Sequence, residues 1–390
     1  MTFKSLTHSG KRANFISIQL SHMMPTTTSE SMRIRTGFER MIAHRCNSLY
    51  AYSAKQDGKV IDVNEELQLC KIEYKDGSKH VFSYGLDFGE CSDLVTTQRK
   101  ELTIKKGDIF KKDDILCYNP QFFEKDPNSR QVDFKTGVIA TVAIMETAGT
   151  FEDSNVITKE LGDKLSIEPV QVRTITLNCD TFIHKALTVG DEVDINDYLM
   201  VFENASVADL SGVSQDEDTL NYLAKLNRVT PKAKFAGKIV KMEAFYGCAF
   251  SGMHPTLAKL VRSIIKFQND RNKFSSDTNT GNEYAPSEPL PKGSKIKGTK
   301  IDENTIVINY YIQEKISNSV GDKLVFDSSL KSVTAEVLET PLETESGRKV
   351  DALFSGTSIS NRIVCSPIIV GIGEQIVQKI EENIVDMYFN

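Results

Sequence analysis

Between residues 48 and 120 apolar and polar positions alternate in short runs, and this patterning restricts that part of the chain to β-structure. LYAYSA, KVIDVN, LQLCKIEY and KHVFSY carry the period of two that sends alternate side chains to opposite faces of a strand. Asp57-Gly58 and Asp76-Gly77 stand between these runs and are predicted to close tight turns. ELTIKKGDIFKKDDILCYNP (101–120) then places a Gly-Asp pair before an apolar pair, with a further aspartate before the next. A related pattern recurs at LTVGDEVDINDYLMVFE (187–203). Two such units predict compact, sandwich-like β modules.

The modules resemble the barrel-sandwich units of biotinyl and lipoyl carriers. A carrier needs an exposed hairpin lysine in an MKM- or DKA-like setting, and neither copy has one. A length of 390 residues allows two or three domains, and 40% hydrophobic with 26% charged residues fits a globular chain. No run of eighteen apolar residues is present, and MTFKSLTHSGKRANF has no apolar core like that of a signal peptide, so neither a membrane span nor export is expected. The seven cysteines are scattered without a CxxC pair. That spacing argues against a zinc ribbon or a disulfide frame and for a reducing compartment. A net charge of −6 disfavours a free-standing nucleic-acid binder but leaves room for a local basic face.

Local basic character appears at MRIRTGFERMIAHR (32–45), where Arg33, Arg35, Arg40 and Arg45 crowd a predicted helix starting near Thr36, with Glu39 placed as in a capping box. These arginines suit a phosphate backbone or, equally, a solvated helix face. ISIQLSHMMPTTTSES (16–31) reads as a short helix or strand broken at Pro25. In DEVDINDY (191–198), Asp191, Asp194 and Asp197 suggest a hard-cation site by count, but strand or turn geometry spreads them over opposite faces. Glu152 and Asp153 sit where an apolar run ends, as helix-start carboxylates or as neighbours of a metal–nucleotide site. HPTLAKLVRSIIKFQNDRNKF (254–274) is the best amphipathic helix, with Leu257, Leu260, Val261, Ile264, Ile265 and Phe267 on one stripe. The polar, Pro- and Gly-containing 275–300 stretch is expected to be mobile, and GEQIVQKIEENIVDMYF (373–389) to form a final helix.

VGDKLVFDSSLKSV (320–333) carries Lys323 and Lys331, eight positions apart in a strand-like setting. A strand, a loop and a returning strand can aim both ammonium groups at one phosphate-bearing ligand.

Taken in order, these pieces resemble the C-terminal half of the β (second-largest) subunit of multisubunit RNA polymerases. The resemblance rests on TGFER (36–40), KKGDIFKKDDIL (105–116), TFEDSNVI (150–157), VGDEVDINDYLMV (189–201), FAGKIVKMEAFYG (235–247), YYIQEKISNSVGDK (310–323) and GRKVDALFSGTSISNRI (347–363). It spans roughly 36–380, with both lysines at the family's spacing. Departures cluster between the lysines, where Asp327 and Ser328 replace the usual Arg and His, and Ser332 replaces a Gly.

The resemblance implies a mainly β (α+β) fold, a double-psi β-barrel with inserted barrel-sandwich-hybrid modules and a flap domain. Its divisions would be a post-fork segment (1–47), a sandwich-like module (48–133), the first barrel part with the second sandwich motif (134–204), a flap-like insertion (205–305), the second barrel part (306–370) and a C-terminal helix (371–390). It implies a DNA-directed RNA polymerase subunit, inactive alone, whose Lys323 and Lys331 contact the RNA 3′ end and the substrate α-phosphate. Arg362 would bind the triphosphate, Glu152 and Asp153 would lie near the substrate-borne metal, and Arg33, Arg35, Arg40 and Arg45 would hold nucleic-acid backbone. Mg2+ would be bound mainly by a β′-like partner. Other partners would be a β N-terminal-like subunit, a promoter-specificity factor on the flap, template DNA, nascent RNA and nucleoside triphosphates. Its divergence and the absence of the family's N-terminal half resemble the split enzymes of giant bacteriophages, acting in host cytoplasm or packaged in the virion. A non-catalytic nucleic-acid-binding or virion structural protein, or a biotinyl-type carrier or adaptor, are the alternatives.

Overall fold

The computed structural model describes residues 9–33, 35–91, 94–135, 137–203, 228–278, 289–296, 298–327, 329–364 and 366–389. The chain is mainly β. Its strands form several largely antiparallel sheets, and none of them closes into a barrel.

The strand Thr305–Gln313, TIVINYYIQ, organises the largest sheet. Its β-branched and aromatic residues are consecutive, as in strands covered on both faces, and all but its two end residues are buried. Pro169–Asn178 and Gly237–Tyr246 flank it, both antiparallel. Ile306, Ile308, Tyr310 and Ile312 point into the main core, where Leu257, Val261 and Ile265 of the helix Pro255–Ser275 meet them. On the opposite face Asn309 is fully buried, and its Oδ1 accepts a hydrogen bond of 2.8 Å from Thr174 Oγ1.

This arrangement bears on three expectations. The apolar stripe of the 254–274 helix is spent on the core, with Leu260 and Ile264 packed against it, and only Phe267 of that stripe is exposed. Within the 205–305 segment, the strand Gly237–Tyr246 lies in the central sheet. Residues 204–227 and 279–288, which hold the rest of the acidic stretch and most of the polar arm, lie outside the described residues. Cys179 and Cys248 are joined in a disulfide across the base of this lobe, against the expectation of no such bond.

The 48–120 region follows its patterning. Gly58–Asn64, Leu69–Tyr74, Lys79–Ser83 and Ile109–Phe110 form a four-stranded sheet over a core of Val60, Ile72, Phe82 and Phe110. Asp76-Gly77 makes the predicted hairpin turn, with Gly77 at φ 81°. Asp57-Gly58 does not. Gly58 lies inside a strand between Tyr74 and Phe110, where a Cβ would fall 2.4 Å from Glu73 O and 2.7 Å from Phe110 Cζ. Its glycine serves close packing, not chain reversal.

The Gly-Asp units share one device. Lys105, Thr188 and Ser319 each donate a backbone N–H to the carboxylate of Asp108, Asp191 and Asp322, at 3.0, 2.8 and 2.8 Å. The intervening Gly107, Gly190 and Gly321 adopt φ of 89°, 105° and 93°. In each turn the glycine N–H and the aspartate C=O then clasp one residue of a neighbouring strand, Val60, Ile239 or Thr334. The third copy, Ser319–Asp322, immediately precedes Lys323.

Among the helices, Gly10–Ser21 starts earlier than the 16–31 pattern suggested, and Phe38–Ile42 is shorter than the run from Thr36. Glu39 nevertheless accepts the Thr36 N–H at 3.1 Å, half of a capping box. The last helix is Ser366–Phe389.

Candidate phosphate-binding site

A five-stranded mixed sheet carries the candidate site. Its order is Val142–Ile144, Ala352–Phe354, Ser154–Thr158, Leu330–Leu338, Lys323–Phe326. The last two strands are the lysine hairpin. Lys323 pairs with Val333 and Lys331 with Val325. Both lysines therefore lie on one face, on a diagonal whose side chains stand about 7 Å apart at the Cβ level. That face is the exposed one, whereas Leu330, Ser332 and Thr334 point inward. Neither ammonium has an ion-pair partner among the described residues. Hairpin geometry thus sets the two lysines on a common face of the sheet. Ser328 lies outside the described residues, and Asp327 turns the chain at φ 47°.

The acidic turn 151–153 is fastened to this hairpin. Asp153 O accepts the Val333 N–H at 2.9 Å and the Ser332 hydroxyl at 2.8 Å. Buried Asn155 donates to the Ser332 Oγ at 2.8 Å. Ser332, a departure from the resembled family's glycine, is thus the pin between the two segments. Ser332→Ala is expected to leave the Asn155 amide unsatisfied and to cost about 1–3 kcal/mol, read as a lower urea midpoint at unchanged m-value. A midpoint equal to that of the unsubstituted chain would refute the pin.

The short helix Gly356–Asn361 closes the third side. Ser355 caps it by accepting the Ser358 N–H at 3.1 Å. Glu146 adds a second cap, accepting from Thr357 N and Ser355 Oγ, both at 2.9 Å. The Thr357 N–H, then the Ser355 hydroxyl, hold the Glu146 pKa below the ordinary glutamate value. At the far end Arg362 donates to the Asp153 carboxylate, and the Ser358 hydroxyl bonds to Glu152 O. Glu152 itself takes the left-handed conformation at φ 51°. Glu152 and Asp153 precede a strand, so the helix-start reading does not apply.

The segments bearing Glu152 and Asp153, the lysine hairpin and Arg362 are therefore hydrogen-bonded to one another although as much as 209 residues apart in sequence. Arg12, absent from the sequence-based set, joins them. From the helix Gly10–Ser21 its Nη2 donates to Arg362 O at 3.1 Å. Burial, then the neighbouring Arg362 guanidinium, lowers the Arg12 pKa. No local motif marks Arg12, and only its place in the fold reveals it. Arg362 Nη1 is buried without a hydrogen-bond partner among the described residues. Arg12 and Arg362 stand side by side, the latter against the Asp153 carboxylate, and the two lysines share the exposed face of the adjoining hairpin, charge that favours an anion. Exposed apolar side chains lie beside these residues, among them Phe151 at 72% and Ile363 at 89% exposure.

The arginines at 33–45 do not join this site. Arg33 pairs with Glu381 at 2.7 Å and Glu374 at 3.5 Å. Arg35 pairs with Glu124 and Asp133, and Arg40 with Asp126 and Asp133, all within 3.2 Å. Arg45 is exposed and unpaired among the described residues. Three of these four cations are thus held by the chain's own carboxylates.

Among the described residues no magnesium site is formed. No group of three His, Cys, Asp or Glu side chains suited to a metal occurs among the described residues, and Asp153 is engaged by Arg362. Asp191 and Asp197 accept backbone N–H groups at 2.8 Å, and Asp194 accepts the Ile195 N–H at 2.7 Å, each serving as a turn cap. No protein-family model matches the chain, and no curated protein matches it.

Proposed function

We propose that this chain is a subunit of a multisubunit DNA-directed RNA polymerase, corresponding to the C-terminal half of its β subunit and of the split type resembling giant-bacteriophage enzymes. The observation that carries the reading is the hydrogen bonding of Asp153 O to Ser332 and Val333 beside Lys331, with the Asp153 carboxylate accepting from Arg362. These residues come from three separate segments of the chain. Lys323 and Lys331 bind the phosphates at the RNA 3′ end and the α-phosphate of the incoming nucleoside triphosphate. Arg362 and Arg12 hold its outer phosphates, and Asp153 keeps Arg362 oriented while no nucleotide is bound. Charge placed in advance where the transferring phosphoryl group will sit lowers the barrier without later rearrangement.

The mixed five-stranded sheet is assigned to the double-psi β-barrel. Its parallel pairs, Ser154–Thr158 with Leu330–Leu338 and Val142–Ile144 with Ala352–Phe354, support that assignment. Exposed apolar side chains beside the cationic residues fit a half-site covered by a β′-like chain, which would supply the Mg2+ ligands not found among the described residues. A β N-terminal-like subunit, a specificity factor, template DNA and nascent RNA complete the assembly, working in host cytoplasm or packaged in the virion. Neutralised Arg33, Arg35 and Arg40 weigh against a strong separate nucleic-acid face. They equally favour the second reading, a structural protein that retains the fold without catalysis.

Tagged chain recovered from the cells that make it is expected to bring down a larger chain bearing an aspartate-rich metal loop. The complex should extend an RNA primer, and the isolated chain should not. Recovery of this chain alone, with no primer extension in any fraction, overturns the proposal.

A further inference from the structure

The long helix Pro255–Ser275 spends its apolar stripe on the main core and turns a cationic face to solvent. Lys259, Arg262, Lys266 and Lys273 are all exposed. At about 100° per residue they fall within about 60° of one another around the helix, and they run along about 21 Å of it. None of the four has an ion-pair partner among the described residues. Asp270, on the same face, is the one carboxylate of the helix, and Asp277 just beyond it is held by Lys71 at 2.7 Å. Arg262 is positioned by packing, its guanidinium 5.0 Å from the centre of the Phe250 ring. Arg33, Arg35 and Arg40 are the opposite case, because the chain's own carboxylates take up their charge. Phe267 flanks the cationic row at 45% exposure, so that cations and an aromatic ring share one side of the helix.

We infer that this face binds single-stranded nucleic acid, with Lys259, Arg262, Lys266 and Lys273 on its phosphates and Phe267 against a base. The cations form a line, not a cluster, which suits a linear polyanion better than a compact one. From Lys259 to Arg262 and from Arg262 to Lys266 the helix rises about 4.5 and 6 Å. Long, flexible stems let such side chains follow successive phosphates. An aromatic platform beside a positive track is the combination by which proteins hold single strands without reading sequence. The overall charge of −6 confines the contact to this face, because the rest of the chain repels a polyanion. This inference uses none of the residues of the phosphate-binding site and does not depend on the polymerase reading.

The test titrates a fluorescent oligothymidylate of about 20 nucleotides with the full chain. The chain carries Lys323→Ala and Lys331→Ala throughout, so that the hairpin lysines contribute nothing. Affinity should fall with salt at a log–log slope of about −2 to −3, as for about three or four phosphates contacted. Lys259→Gln with Lys266→Gln should weaken binding about 10-fold and make the slope shallower by about 1.4. Phe267→Ala should weaken binding about 10-fold and leave the slope unchanged. Lys111→Gln with Lys112→Gln, an equal change of net charge at another exposed site, should alter neither affinity nor slope. All five side chains are exposed, so melting temperatures should stay level and separate lost binding from lost folding. The inference is overturned by absence of binding, by equal weakening in the Lys111 and Lys112 variant, or by unchanged affinity in Phe267→Ala. Tighter binding of polyglutamate than of the oligonucleotide overturns it equally and hands the face to an acidic protein.

Discussion

In the polymerase assembly proposed above, Lys331→Ala is expected to slow nucleotide addition by about 100-fold, equivalent to roughly 3 kcal/mol of lost transition-state stabilisation. Lys323→Ala should act in the same direction. On the proposed reading, each removes a charge-assisted contact to phosphate in a site that a partner chain would shield from water. Both side chains sit on the exposed face of an edge hairpin with no partner among the described residues, so their loss should change chain stability by no more than about 0.5 kcal/mol. Single-turnover extension of a defined RNA primer reads the effect directly, and the urea midpoint separates it from misfolding. Unchanged extension by the doubly substituted enzyme would leave the structural-protein reading in possession. Lys331→Arg would not be a neutral replacement, because a planar fork presents its donors differently from a compact ammonium.

Gly237→Ala should produce the largest loss of stability of any single-methyl addition in the central sheet. Gly237 takes φ 136°, outside the range of L side chains, and a Cβ there would lie 2.2 Å from Gln313 O. Backbone cannot swing aside as a side-chain tip does. Conformational strain and overpacking together should cost about 3 kcal/mol or more. Gly252→Ala, where a Cβ meets nothing within 4 Å, is the matched control and should shift the urea midpoint little. Equal midpoints for the two variants would refute the argument. The effect reaches the site because Thr305–Gln313 leads into the segment whose Ile316 and Asn318 bond to Ile167 and Gly162 before the lysine hairpin begins.

Particular elements show how much of this was readable beforehand. The strands of 48–120 were, because their period of two is a local signal that burial of one face reinforces. Asp57-Gly58 misled because a glycine needed for turning and a glycine needed for close packing look alike in sequence. The third Gly-Asp turn, Ser319–Asp322, carries the same local signature as the first two but lacks the second aspartate that made them noticeable. The outcome for the 254–274 stripe depended on whether a sheet lay beneath it, which periodicity alone does not tell. Cys179 and Cys248, 69 residues apart, became neighbours only through folding.

For the site, the sequence by itself determined the hairpin and its two lysines. Strand alternation and an eight-residue spacing around a short turn are local geometry, and local geometry follows from the order of residues. Only the tertiary structure decided the company those lysines keep. Asp153, Arg362 and Arg12 arrive from segments whose meeting depends on sheet order and on the Ser332 pin. It also decided that Arg33, Arg35 and Arg40 answer to carboxylates of the same chain, and that the terminal helix turns its isoleucines outward. Charge and hydrophobicity are properties of a residue, whereas a partner is a property of the fold.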